Sequence, residues 1–179
     1  MNIAPLQAMD RDSLERYLEF FLHHYRVVDA FWFLYTAEAF GQPAAERINE
    51  RVWERAATLA ARDLLQRFPM SETGLEAFWK LYALFPWSLL IAYDVQWEGD
   101  ALTLRVAHCP PQEARLKRGL GEYDCKAMHA AEFRSVARVV DPRISVECVY
   151  APPDAHPPDC FCQWRFTLSK TPAPEKTPG

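Results

Sequence analysis

The spacing of the apolar residues changes near residue 89, and this change constrains the fold more than any other feature of the sequence. Before it, apolar side chains recur every three or four residues, which is typical of amphipathic helices. After it they alternate, which is typical of strands with one buried face. The first alternating face carries Ile91, Tyr93, Val95 and Trp97. A helical N-terminal half and a sheet-forming C-terminal half are therefore expected.

Three helices are predicted in the N-terminal half. The first starts at the capping-box-like sequence Asp12-Ser13-Leu14-Glu15 and ends before Gly41. The second and third cover residues 43–68 and 71–84, because proline and serine favour helix starts and a proline follows each end. All three present an apolar stripe that must be covered by another element.

The C-terminal half reads as a hairpin, a helix and two strands. Glu98-Gly99-Asp100 supplies the hairpin turn, and the polar segment QEARLKRGLGEY predicts a connection. A helix with Phe133, Val136 and Val140 on its apolar face ends at Asp141-Pro142. Strands are then expected over residues 144–150 and 160–168.

This order of elements predicts one α+β domain over residues 1–168. We expect an N-terminal helical block (12–85) packed on an antiparallel sheet of about four strands (88–168). One helix is inserted between the hairpin and the last two strands. The final segment, SKTPAPEKTPG, has no apolar periodicity and predicts a disordered tail over residues 169–179.

Composition and charge narrow the classes of partner and compartment. A net charge of −4 gives no general attraction for nucleic acid. The N-terminus lacks the features of a signal peptide, and no apolar stretch is long enough to span a bilayer, so we expect a cytoplasmic protein without a membrane partner. Five cysteines in a reducing compartment predict free thiols, metal ligands or catalytic groups rather than disulfides.

The thiols are predicted to converge on the interior. Cys160 and Cys162 are two residues apart and would project from the same face of a strand. Cys125 and His129 are four apart on a helix and would share its inward face. With Cys109 at the exit of the hairpin, these side chains are the residue types that bind zinc or another divalent metal. Cysteine is also a common small core residue, so packing is the alternative interpretation.

Asp29 and His108 are further candidates for chemistry. Asp29 lies in an aromatic-rich run, and a carboxyl group desolvated by aromatic rings acquires a raised pKa suited to acid–base catalysis. Its alternative role is a local ion pair with Arg26, three residues earlier. His108 is a candidate base beside a nucleophilic thiol of Cys109.

Two segments carry a family resemblance: HCPPQEARLKRGLGEYDCKAMHAAEF and ISVECVYAPPDAHPPDCFCQWRF. They resemble the C-terminal half of cytosolic proteins similar to L-2-amino-thiazoline-4-carboxylate hydrolase. The helical segments HHYRVVDAFWF and INERVWERAATLAARDLL look like an uncharacterised branch of that group. There is a fainter similarity to the vinyl-4-reductase-like small-molecule-binding domain, whose cysteines near the C-terminus are thought to hold a metal. Together the resemblances cover most of residues 10–168.

The resemblance implies a ligand-binding α+β domain whose cysteine pattern is matched by Cys109, Cys125, Cys160 and Cys162. For the hydrolase group it implies opening of a cyclic thiazoline at its C=N carbon.

Three functions follow as hypotheses. The first is a small-molecule-binding protein with an interior Cys/His site that holds a zinc-like ion. The second is a hydrolase of a cyclic thiazoline or amidine acid, with Cys125 or Cys109 as nucleophile or a metal-bound water as attacker. In it, Arg115 or Arg118 would pair with the substrate carboxylate. The third is a homodimeric scaffold whose aromatic helices form the interface.

Overall fold

The computed structural model describes residues 2–169. The N-terminal block contains α1 (Ala4–Gln7), α2 (Arg11–Phe40), α3 (Gln42–Arg67) and α4 (Gly74–Tyr82). The remaining elements are β1 (Asp94–Glu98), β2 (Ala101–Val106), α5 (Pro110–Lys117), α6 (Lys126–Val140), β3 (Ile144–Tyr150) and β4 (Cys162–Leu168). The predicted α+β class is confirmed, with the helical block first and α6 between the hairpin and the last two strands.

The four strands form one antiparallel sheet in the order β1-β2-β4-β3. Leu102 and Leu104 on β2 lie opposite Phe166 and Trp164 on β4, so their side chains alternate onto one face. Phe133 of α6 packs on this face, with ring centroids 5.1 Å from both Trp164 and Phe166. The core of the domain therefore lies between the sheet and α6.

Helix α3 packs along α6. Ala57 and Ala61, four residues apart on α3, are fully buried there because small side chains let two helices approach closely. Gly41, with a φ of 85°, lets the chain reverse between α2 and α3. Helix α2 then lies against α3 at the edge of the domain and buries one residue, Thr36, among the described residues.

Several predicted element boundaries are wrong. Helix α2 starts at Arg11, within one residue of the predicted start, but its cap is Asp10, whose carboxylate accepts a hydrogen bond from Ser13 N at 2.7 Å. Helix α4 starts at Gly74 rather than residue 71. Strand β1 starts at Asp94, because residues 83–90 form consecutive turns that delay the extended chain.

The predicted connection after β2 contains a helix. Pro110 and Pro111 occupy the first turn of α5, where a missing backbone N–H costs nothing. The glycines that indicated a loop, Gly119 and Gly121, both lie beyond its end and have positive φ.

The last predictions concern the C-terminal tail and membrane-spanning helices. Ser169 N donates to Arg143 O at 2.9 Å, so the last described residue is tied to the start of β3. The rest of the predicted disordered tail, residues 170–179, lies outside the described residues. None of the helices within residues 2–169 has both the length and the apolar character needed to cross a bilayer.

Candidate ligand-binding site

A cavity of about 390 Å³ lies between α2, α3, α5 and the first turns of α6. This volume falls in the range of small-molecule sites, which are typically mostly apolar with a few polar groups. The larger wall side chains are Phe33, Trp53, Trp87, Ile91, Tyr123 and Met128. The walls come from helices, from the turn segment after α4, and from the loop between α5 and α6, which contributes Tyr123.

A hydrogen-bonded polar group closes the buried end of the cavity. Glu132 is only 2% exposed, and its Oε2 lies 3.1 Å from His129 Nδ1. Tyr82 donates its hydroxyl to Glu132 Oε1 at 3.3 Å, and the Tyr93 hydroxyl lies 3.4 Å from that of Tyr82. Burial raises the pKa of both tyrosines, so both remain neutral hydrogen-bonding groups.

Sequence reasoning missed Glu132 because a lone glutamate on a helix is usually read as solvent-facing. A signal was present: Met128, Glu132 and Val136 are spaced four residues apart, and both apolar members of that column are buried.

Asp29 reaches the cavity from α2. Burial raises the pKa of its carboxyl group to about 6, and the nearby negative charge of Glu132 adds to this effect. The alternative ion pair with Arg26 is not present; the Arg26 guanidinium lies 3.3 Å from His23 Nδ1 instead. No ion pair to Asp29 occurs within residues 2–169.

A buried glutamine holds the cavity wall that Tyr123 contributes. Gln112 is 1% exposed; its Nε2 donates to Tyr123 O at 3.0 Å, and its Oε1 accepts from Tyr123 N at 3.1 Å. This reciprocal pair satisfies the backbone of a loop that has no strand partner. Sequence reasoning missed Gln112 because the segment was interpreted as an exposed connection.

The two arginines predicted to bind a substrate carboxylate both line the cavity. Arg115 already donates to Gly121 O at 3.0 Å and Leu120 O at 3.3 Å, and its guanidinium lies 5.7 Å from the centre of the Tyr123 ring. Its donors therefore hold the loop. Arg118 is exposed at the end of α5 and lies at the open side of the cavity.

Three thiols meet beside the buried end of the cavity. Cys109 and Cys125 line it, and Cys162 joins both of them and His129 around a small adjoining space. Burial raises the pKa of the Cys109 thiol to about 11 and that of Cys125 to about 12, and it raises the pKa of Cys162 as well. Gln112 Nε2 lies 3.4 Å from Cys125 Sγ. These thiols are protonated near neutral pH and are weak nucleophiles.

Cys160 does not project with Cys162. It precedes β4 at a bend, where strand alternation does not yet hold, and its thiol donates to Cys162 O at 3.3 Å. The thiol of Cys160 raises the pKa of both Arg105 and Tyr150, so it lies near their side chains. Both residues pair with Gln163 in the sheet, and Gln163 projects from the face opposite to that of Cys162. The predicted shared direction of the two cysteines is therefore wrong.

The predicted metal centre is not assembled in the part of the chain that the structure describes. No group of three or more His, Cys, Asp or Glu side chains with metal-binding geometry is found there. A structural zinc site needs four such ligands. Within the predicted set, the thiol of Cys160 bonds to Cys162 O instead of joining the other thiols. His108, the candidate base, is largely exposed, and its Nδ1 lies 3.2 Å from Glu113 Oε1.

Comparison with known proteins identifies a family whose function is unknown. A protein-family model described as a family of unknown function (DUF6125) matches residues 7–168. The comparisons do not show the resemblance to the hydrolase group or to the vinyl-4-reductase-like domain. No curated protein matches the chain.

Solved structures show only a remote similarity, and one of them serves as the example. It is a chain described under "Probing the function of heme distortion in the H-NOX family", with a TM-score of 0.45 and 13% sequence identity. The match covers 100% of this chain and 82% of that chain. A similarity this remote assigns no ligand.

Proposed function

The chain belongs to the family of unknown function DUF6125, and we propose that it binds a small, largely aromatic molecule whose basic nitrogen meets Asp29. The observation that carries this proposal is a partly buried carboxyl group with a raised pKa at the wall of an apolar cavity. No ion pair to this group is present within residues 2–169, so a ligand can supply the missing partner.

Electrostatics favour a cation over an anion near Asp29. Removing a carboxylate from water without a partner is costly, and an opposite charge within about 4 to 6 Å offsets that cost. Glu132 adds a second acidic group to the same end of the cavity. Three arginines also line the cavity, but Arg115 is bonded to Gly121 O and Leu120 O, Arg26 lies against His23, and Arg118 is exposed at the open side.

The aromatic side chains of the cavity walls favour a ligand with an aromatic ring. Trp53, Trp87 and Tyr123 offer ring faces and edges to the cavity, and aromatic side chains stack well on aromatic ligands. A flat ring carrying a short aminoalkyl chain matches this division between apolar walls and an acidic end.

Binding is favoured over cysteine-dependent hydrolysis. A nucleophilic thiol needs its thiolate, and the pKa of Cys109 at about 11 and of Cys125 at about 12 leave few thiolates near neutral pH. The candidate base His108 is bonded to Glu113 at the surface rather than to either thiol. His129 lies near the thiols, but its Nδ1 is paired with Glu132 Oε2, and no hydrogen bond joins a histidine to a thiol within residues 2–169.

Thermal unfolding with matched probe compounds tests the proposal. Phenethylamine and 3-phenylpropionate share a ring and differ in charge. Phenethylamine at ten times its dissociation constant stabilises the folded chain by about 1.4 kcal/mol, a rise in Tm of about 3 to 6 °C. We expect Asp29→Asn to abolish this rise and Glu19→Gln, an exposed change on the same helix, to preserve it.

Two outcomes would contradict the proposal. An equal or larger rise with 3-phenylpropionate would remove the role of Asp29 in charge recognition. A rise with phenethylamine that survives Asp29→Asn would place the compound elsewhere.

A further inference from the structure

Helix α2 carries a second apolar face that the rest of the domain leaves uncovered. Although it is 30 residues long, Thr36 is its one buried residue in the described chain. Long helices in proteins are stabilised mainly by burial of an amphipathic face. A helix of this length with one buried residue is therefore unusual. Nine large apolar side chains on α2 are between 38% and 61% exposed: Leu14, Tyr17, Leu18, Phe20, Phe21, Val28, Phe31, Trp32 and Tyr35.

The exposed residues follow a heptad pattern. Spacings alternate between three and four along eight exposed positions, which we call the α2 seam: Leu14, Tyr17, Phe21, His24, Val28, Phe31, Tyr35 and Glu38. A repeat of 3.5 residues is the pattern by which two helices pack side by side. At about 100° per residue, the centre of the seam lies about 100° around the helix axis from the buried Thr36. Phe31 of the seam also lines the cavity.

The order of residues in the seam is self-complementary for antiparallel pairing. With a two-fold axis at position 26, Tyr17 faces Tyr35 of the second copy and Phe21 faces its Phe31. The flanking Leu18 and Trp32 also meet across this axis. Parallel pairing would instead set Glu38 against Glu38, and like charges directly opposite each other are unfavourable.

We propose that a second copy of this chain covers the α2 seam, forming a two-fold antiparallel helix pair. The available area supports this occupant. A large side chain offers about 150 to 250 Å², so nine that are about half exposed present on the order of 900 Å² per copy. A stable interface buries about 800 Å² per partner. An isologous contact is also the commonest route to a homo-oligomer.

Sedimentation velocity of the full chain between about 1 and 100 µM tests the pairing. The expected species is a dimer. Two double variants then test the surface and its orientation: Tyr17→Lys with Tyr35→Lys, and Tyr17→Lys with Tyr35→Glu. In antiparallel pairing the first places lysines opposite each other twice, whereas the second forms two Lys–Glu pairs. We expect the first variant to dissociate about 100-fold more readily than the second.

Three results would contradict the proposed pairing or its orientation. A wild-type chain that stays monomeric at 100 µM overturns the proposal, as does a dimer that neither double variant weakens. Equal weakening by both variants overturns the antiparallel orientation, because both would place like charges opposite each other in a parallel pair. Circular dichroism verifies that both variants keep the helical content of the wild type, which is expected because Tyr17 and Tyr35 are exposed.

Discussion

His129 Nδ1 lies 3.1 Å from the Oε2 atom of Glu132, and this pair closes the buried end of a mostly apolar cavity. Tyr82 holds the other carboxylate oxygen at 3.3 Å, so the orientation of Glu132 is set from two sides. Asp29 faces the same end from a different helix and has no such support within the described residues. The cavity therefore combines a fixed acid with an acid that still needs a partner.

The pH dependence of stability should reveal Asp29. Its pKa rises from 3.8 to about 6 on folding, so the folded chain holds this proton more tightly than the unfolded chain. The resulting stabilisation is complete below pH 3.8 and is lost as the pH rises through about 6. The Asn side chain does not ionise, so Asp29→Asn removes this pH dependence. The free energy of unfolding of the variant minus that of wild type should therefore be about 2 kcal/mol larger at pH 8 than at pH 4.

Urea denaturation of wild type and variant at both pH values measures this difference, with Glu19→Gln as the exposed control. A difference between Asp29→Asn and wild type that does not change with pH would show that the carboxyl group is solvated.

Ligand affinity should rise with pH over the same range. Phenethylamine stays cationic between pH 5 and 7.5, whereas Asp29, with a pKa of about 6, changes from mostly protonated to ionised. We expect its dissociation constant to fall about tenfold across this interval, in line with the ionised fraction of Asp29. Isothermal titration calorimetry measures the change. A flat profile, or one that persists in Asp29→Asn, would contradict the assignment.

Gln112→Leu should destabilise the domain and loosen one cavity wall. The substitution leaves the Tyr123 backbone N–H and C=O without their side-chain partner, and each unsatisfied buried group costs about 1 to 3 kcal/mol. We expect a Tm lowered by about 4 to 24 °C and faster proteolysis near residue 120. Gln66→Leu, an exposed change on α3, is the control and should leave both measurements unchanged.

Alkylation of Cys109 should be slow in the folded chain. Burial raises the pKa of this thiol from 9.0 to about 11, which lowers the thiolate fraction at pH 8 about 100-fold. Mass spectrometry after iodoacetamide treatment should therefore show labelling at least 100-fold slower than in urea, and about tenfold faster per pH unit above 8. Native labelling at the unfolded rate would show that the thiol is ionised in an exposed site.

The fold was largely predictable because periodicity and chain breakers act locally. The change from helical to alternating spacing located the boundary between the two halves, and Gly41 marked the reversal between α2 and α3. Helix α5 was not predicted because its short polar sequence has little amphipathic pattern. The start of β1 was placed too early because Ile91 and Tyr93 alternate in sequence while residues 83–90 are still turning.

The site was only partly predictable because its key contacts are tertiary. Cys109, Cys125 and His129 could be nominated from residue type, and they do lie together around the two adjoining spaces. The direction of Cys160 depends on a bend that follows from tertiary packing. Glu132 and Gln112 are polar residues whose burial depends on partners distant in sequence, Tyr82 and Tyr123.

The most direct test of the central claim is the response of the six tryptophan indole N–H signals to phenethylamine in a ¹⁵N-labelled sample. Trp53 and Trp87 line the cavity, whereas Trp97 is exposed on β1. Binding beside Asp29 should give saturable shifts for Trp53 and Trp87, no shift for Trp97, and loss of the effect in Asp29→Asn. Saturation with no movement of Trp53 or Trp87, or equal movement of Trp97, would contradict it.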